Sequence, residues 1–223
     1  MNSFKAVLFD LDGTLLNTLE DIADSVNRVL RRSGFPEHTL EKYKYFIGDG
    51  MDVLVRRALP EAGLEEEAVS RCLTAVREEY ARHWADKTRF YEGVPEMLDW
   101  LLSRGFQLSI LSNKPEDFTR ITAEKFLCRW PFHPVLGARP SVPKKPDASG
   151  AFEVSKITGI PPEKFVYLGD TDTDMITAVS AGMFPVGVLW GFRPADELLK
   201  AGARVLLSHP MELINFLGGF QPV

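Results

Sequence analysis

The sequence has little that would staple, anchor or charge it for a special environment. Only Cys72 and Cys128 are cysteines among 223 residues, with no CxxC and no His at zinc-ligand spacing, which excludes a disulfide framework and a structural zinc site. Each is expected to be a small buried hydrophobe in a reducing compartment. Basic charge is not in excess. The 26 Lys and Arg face 31 Asp and Glu, the net charge is −5 and the basic residues are scattered, so no nucleic-acid partner is expected. No long apolar run is unbroken: the uncharged stretch from Met175 to Phe192 contains Gly182, Pro185, Gly187 and Gly191, and reads as a helix, a turn and a strand, not a membrane span. The run Ala6–Phe9 is cut at once by Asp10 and Asp12, so it cannot be the apolar region of a signal peptide. A cytoplasmic chain with no membrane partner is the expectation. Repeats and low-complexity tracts are absent too. A chain of this length buries about 70% of its unfolded surface without a staple, so any metal would serve chemistry.

What is present is a change of pattern. Ala6–Phe9 is a continuous apolar run of the kind found in a parallel sheet covered on both faces. Residues 16–84 show no strand pattern. Thr18 is placed to cap a helix carrying Ile22, Val26, Val29 and Leu30 until Gly34, and a second helix is expected over 39–46. A third carries Met51, Leu54, Val55, Ala58 and Leu59 before Pro60, and a fourth has Val69, Cys72, Leu73, Val76, Tyr80 and Trp84 along one stripe. From Gly93 onward helix and strand alternate: a helix around Met97, Leu98, Leu101 and Leu102, then strands at 108–111, 166–168, 186–190 and 205–207. The expected fold is α/β, a Rossmann-like doubly wound parallel sheet formed by 1–15 and 88–223, interrupted by an inserted all-helical cap domain, 16–87.

In an open α/β sheet, ligands bind at the carboxyl ends of the strands, and three of these strands end in polar residues. The first delivers Asp10 and Asp12 in FDLDGT, the next Ser112 and Asn113 in LSNK, and a third Asp170 and Asp174 in GDTDTD. If those strands are neighbours, four carboxylates converge, and they repel one another unless a cation neutralises them or some take up protons. A hard divalent ion with oxygen ligands is the natural answer, and Mg²⁺ is usual where phosphate is a co-ligand. Lys145 in PKKPD adds a positive charge if its loop folds over the same edge. Residues i and i+2 of an extended segment share a face, so Asp10 and Asp12 point the same way, and Gly13 allows a sharp turn behind them. Singly, each signal has a plainer reading: a turn residue, a solvated KKP loop, or capping of a helix by Thr171 or Asp172.

Together and in this order, FDLDGT, LSNK, KKP and GDTDTD resemble the four signature motifs of the haloacid dehalogenase superfamily of phosphohydrolases, and the resemblance covers nearly the whole chain. IGDGMDVLVRRAL and VLWGFRPADELLKAGA further resemble its phosphoglycolate phosphatase branch. The resemblance implies Asp10 as the nucleophile that forms an aspartyl-phosphate and Asp12 as the acid/base. It implies Mg²⁺ held by the Asp10 carboxylate, the Asp12 main-chain carbonyl and Asp170. Ser112 and the Asn113 backbone would hold phosphate oxygens, Lys145 would counter the charge on Asp10 and the phosphoryl group, and Asp174 would hold Lys145 in place without ligating the metal. Lys145 is chosen over Lys144 because it directly precedes Pro146, as the motif lysine does.

The implied partner is a small phosphomonoester such as 2-phosphoglycolate, and the expected assembly is a monomer or homodimer. Selection falls to the insert, where the Gly50 and Met51 amides after Gly48-Asp49 face a substrate carboxylate in one reading and merely form a glycine-rich turn in the other. A dehalogenase has no need of Asp12, and the cap lysines Lys42 and Lys44 match no Schiff-base motif. A sugar-phosphate phosphatase or mutase stays open within the superfamily. A phospho-receiver signalling module is the reading outside the enzymes, although such a module has no use for a helical cap.

Overall fold

The computed structural model describes residues 4–61 and 65–219, so the outermost residues of the two expected core spans, and 62–64 of the expected cap, lie outside the described residues. The chain divides into two compact units, one made of Met1–Leu16 with Phe90–Val223 and the other of Asn17–Arg89.

The larger unit holds a six-stranded parallel sheet. Its strands are β1 (Ala6–Phe9), β4 (Gln107–Pro115), β5 (Val135–Ala138), β6 (Phe165–Gly169), β7 (Phe184–Val188) and β8 (Val205–Leu207), in spatial order β5-β4-β1-β6-β7-β8. β1 therefore lies between β4 and β6, with Phe9 opposite Ile110 on one side and Leu168 on the other. Side-chain alternation splits β1 between two cores. Val7 and Phe9 pack with Leu108, Ile110, Val166 and Leu168 under α5 (Val94–Ser103) and α10 (Glu212–Gly218). Ala6 and Leu8 face the opposite layer, with Phe165 and Tyr167, where α7 (Ser149–Thr158) supplies Ala151 and Val154 and α8 (Asp172–Ala181) supplies Ala178. This double coverage is why the central strands read as unbroken apolar runs.

The smaller unit contains α1 (Leu19–Arg32), α2 (Leu40–Phe46), α3 (Met51–Ala58) and α4 (Glu66–His83). The apolar stripe of α1, Ile22, Val26, Val29 and Leu30, is buried, as are Val69, Cys72, Val76 and Tyr80 of α4. Its polar interior is paired. Glu79 lies among Arg28 (3.4 Å), Arg32 (2.8 Å), Arg82 (3.6 Å) and His83 (3.6 Å). Asp21 accepts from the Lys87 amide (2.9 Å), the Thr88 amide (2.8 Å) and the Thr88 hydroxyl (2.7 Å). The two chain passages between the units, β2 (Leu16–Asn17) and β3 (Arg89–Phe90), pair as a two-stranded sheet.

Four details correct the sequence reading. β4 does not stop at Leu111 but runs through Ser112, Asn113 and Lys114, and its register with β5 shifts between Leu111 and Pro115. β5 itself was not expected; it is a short edge strand following Pro134. β7 starts earlier than the expected strand and ends at Val188, because Leu189 and Trp190 already turn towards the next segment. Cys128 is exposed, whereas Cys72 is buried as expected. The Met175–Phe192 stretch divides into the body of α8, a break at Gly182 (φ 74°) and β7, and among the described residues no helix is long and apolar enough to cross a membrane.

Candidate active site

Three adjacent strand ends build the site. The Asp10 amide continues the ladder beyond β1 by donating to the Leu168 carbonyl (2.9 Å), which fixes the side chain at the sheet edge. Its Oδ1 accepts from Lys145 Nζ at 2.8 Å, and the same ammonium donates to Asp174 Oδ1 (2.7 Å) and to the Leu111 carbonyl (3.1 Å). All three ionisable residues are buried. Lys145 is clamped from behind by Asn113, whose Nδ2 donates to the Lys145 carbonyl while its Oδ1 accepts from the Lys145 amide, both at 2.9 Å. The Asn113 side chain is thus committed to the lysine, and phosphate would have to be met by its main chain. The register shift in β4 turns Ser112–Lys114 away from the regular ladder with β5, a common way to re-aim side chains beside a site. Ser112 is 4% exposed, and its Oγ accepts from the Lys114 amide at 3.2 Å.

On the third strand end, α8 begins with a capping box in which Thr171 and Asp174 bond reciprocally, and this holds Asp174 in place. The plainer capping reading is therefore true of Thr171, and Asp174 serves both the cap and Lys145. Tyr167 donates to Asp174 Oδ1 at 3.3 Å. Asp170 is fully buried; its Oδ1 accepts from the Thr14 hydroxyl and its Oδ2 from the Phe192 amide, each at 2.9 Å. Trp190 Nε1 in turn donates to the Thr14 carbonyl (3.0 Å), so the segment after β7 braces the turn after β1. Gly13, at φ 91°, is required there: a Cβ would collide with the Asp170 carboxylate.

Sequence reading missed Lys114. Its ammonium is buried and donates to both oxygens of Asp12, at 3.0 and 3.1 Å. The SNK triplet was its visible signal, but nothing in the spacing indicates that the third residue reaches back to Asp12. Thr14, Tyr167 and the Phe192 amide were missed for the same reason. Gly50, by contrast, belongs to the smaller unit. It precedes α3 with φ 95°, beside an Asp49–Arg57 ion pair of 2.7 Å.

Burial dominates the electrostatics. It pushes the Asp10 carboxyl up to about 7, against the lowering influence of Lys145 and with added repulsion from Asp174 and Asp12. Burial also pushes Asp170 well above the usual carboxylate range, reinforced by Asp10 and Asp174 and opposed by its bonds from Phe192 and Thr14. Burial alone would lower the Lys145 ammonium, but Asp10 and Asp174 hold it protonated well above the usual lysine value. One ammonium is too little charge for three buried carboxylates. Oxygens of Asp10, Asp170 and Asp174 lie within 4.8 Å of one another. An all-oxygen, anionic donor set of this kind suits a hard divalent cation, whose charge would relieve the repulsion, so the residues fit Mg²⁺. Asp174 is a member of this group, while the Asp12 carboxylate is outside it, turned to Lys114.

The family model described as haloacid dehalogenase-like hydrolase matches residues 7–188. A phosphoglycolate phosphatase of Pseudomonas syringae pv. tomato is 31% identical over 217 residues, covering 94% of this chain and 78% of the relative. Phosphoglycolate phosphatase 1 of Pseudomonas aeruginosa is 30% identical over 214 residues, with the same coverage of 94% and 78%. Among solved structures, that of a predicted phosphoglycolate phosphatase from Haemophilus somnus superposes with a TM-score of 0.88 at 26% identity, covering 97% of this chain and 99% of the other.

Proposed function

Because the chain belongs to the haloacid dehalogenase-like hydrolase family and is a phosphatase similar to its phosphoglycolate phosphatases, we propose that it hydrolyses small phosphomonoesters, 2-phosphoglycolate foremost, through a phosphoryl group carried on Asp10 with Mg²⁺ as cofactor. The observation that carries this reading is the Asp10–Lys145–Asp174 chain beside Asp170, a buried carboxylate held by one ammonium within an acidic cluster.

In the first half-reaction an Asp10 oxygen attacks phosphorus, the bond from phosphorus to the ester oxygen breaks, and the departing electron pair takes a proton from Asp12. In the second, Asp12 removes a proton from water, the water oxygen attacks phosphorus, and the bond to Asp10 breaks to release inorganic phosphate and return both aspartates to their starting states. Splitting one displacement into two lowers each barrier. Lys145 holds Asp10 Oδ1 and balances charge on the phosphoryl oxygens, while Ser112 and the Asn113 main chain orient them. Mg²⁺ would be held by Asp10, the Asp12 main-chain carbonyl and Asp170, and would supply charge stabilisation at the phosphoryl group.

Phosphate release from a panel of phosphorylated acids, sugars and nucleotides tests the reading. The expected result is multiple turnover that requires Mg²⁺, is lost on chelation, and has its highest kcat/KM on 2-phosphoglycolate. Full activity after exhaustive chelation would contradict the metal assignment. A preference for sugar phosphates would contradict the substrate assignment. Single-turnover labelling without phosphate release would point to a signalling module instead.

A further inference from the structure

We propose that Lys114 is a specificity-determining residue, its buried ammonium taking the carboxylate of phosphomonoesters in which that group sits one carbon from the ester oxygen. This rests on the reading of Asp12 as the acid/base and narrows the substrate class that follows from it. The Lys114 side chain is only 4% exposed, and its Nζ stands 3.0 and 3.1 Å from the two Asp12 oxygens. An acid that protonates a leaving oxygen must come within about 3 Å of it. An ammonium bonded to the same carboxylate then lies roughly 3 to 5 Å from the ester oxygen. In 2-phosphoglycolate the carboxylate oxygens are themselves about 3 to 4 Å from the ester oxygen, so they fall within hydrogen-bond reach of Nζ with no main-chain movement.

Lys145, the other buried lysine here, is committed to Asp10, Asp174 and the Leu111 carbonyl on the nucleophile side of the reacting bond. Lys114 stands on the leaving-group side. A carboxylate that reaches it forms a charge-assisted bond in a poorly solvated setting, where such bonds are strongest. A neutral leaving group of the same size offers the ammonium nothing, and one methylene more in the linker carries the carboxylate past it. A lysine that served only to hold Asp12 would have no such preference and would affect all phosphomonoesters alike.

The test compares 2-phosphoglycolate, 3-phosphooxypropanoate and ethyl phosphate at saturating Mg²⁺, in the wild type, Lys114→Gln and Lys114→Arg. Gln keeps an N–H for Asp12 while removing the charge, and thermal melting checks that each variant folds. The wild type is expected to favour 2-phosphoglycolate over ethyl phosphate by roughly a hundredfold or more in kcat/KM, with 3-phosphooxypropanoate between them. Lys114→Gln should lower kcat/KM on 2-phosphoglycolate by about thirtyfold, chiefly through KM, and on ethyl phosphate by only about threefold, while Lys114→Arg keeps most of the preference. Equal losses on both substrates in Lys114→Gln would overturn the proposal, and so would a wild type indifferent to the carboxylate or to its distance, a result that needs no variant to fold. A wild type that turns over none of the three would overturn the proposed substrate class, and this inference with it.

Discussion

Both units of the molecule bury carboxylates, and they treat them in opposite ways. In the smaller unit Glu79 has three arginines and His83 around it; although burial pushes its carboxyl up, Arg32, Arg28 and His83 hold it below the usual glutamate value. Asp21 likewise accepts three donors from one short segment. In the larger unit Asp10 and Asp174 share Lys145 as their ammonium, Asp170 beside them accepts from the Thr14 hydroxyl and the Phe192 amide, and burial leaves Asp10 and Asp170 raised. The first arrangement is neutralised by the protein itself and serves the fold. The second is left short of positive charge, and that shortage is what an ion and a phosphoryl group with its metal are suited to fill. Strain of this electrostatic kind is a signature of function when it is confined to one sheet edge.

Substitutions that remove one charge from each region separate the two cases. The largest effect is expected from Asp10→Asn, which should lower kcat by on the order of 10⁴-fold while leaving the melting temperature unchanged or higher, because it relieves repulsion; steady-state kinetics and calorimetry check both. Next, Asp170→Ala should raise the Mg²⁺ concentration for half-maximal activity by roughly a hundredfold, and Thr14→Val, which removes only a donor to Asp170, by about tenfold; a Mg²⁺ titration of activity reads this out. Glu79→Gln should do the reverse of Asp10→Asn, costing about 1 to 3 kcal/mol of stability in denaturant unfolding with kcat nearly unchanged.

The smallest effect is one of pH, and its sign differs between the regions. A carboxyl raised in the fold contributes destabilisation that grows as pH climbs from its unfolded value of 3.8 towards the folded value of about 7. With a chelator present, the melting temperature should therefore fall across that window, and Mg²⁺ should restore it. Glu79, lowered in the fold, contributes stability that is present above 4.5 and lost as pH falls below it. Asp10→Asn should flatten the first slope and Glu79→Gln the second.

Much of this was legible in the sequence because the site sits where strong patterns end. Apolar runs broken by Asp10, by Ser112 and by Asp170 mark strand ends, and parallel pairing of β4, β1 and β6 brings them side by side. Helices α1 and α4 were legible from their apolar stripes. β5 was not, because Val135–Ala138 is short, contains a glycine and follows a proline, so it resembles a loop. Lys114, Thr14 and the Phe192 amide escaped because their partners lie in other segments of the chain: Lys114 and Asp12 are brought together by pairing of two strands, and Thr14 and Asp170 by two turns. Periodicity reports which face a residue occupies, not which distant group it meets. The register shift that re-aims Ser112–Lys114 leaves no trace in composition at all.

The central claim is that Asp10 carries the phosphoryl group, and rapid acid quenching during turnover with 2-phosphoglycolate and Mg²⁺, followed by peptide mass analysis, tests it most directly. The mass of one phosphoryl group should be added to the peptide containing Asp10 in the wild type and be absent from that peptide in Asp10→Asn. Phosphate found on another peptide, or brisk turnover by Asp10→Asn, would contradict it.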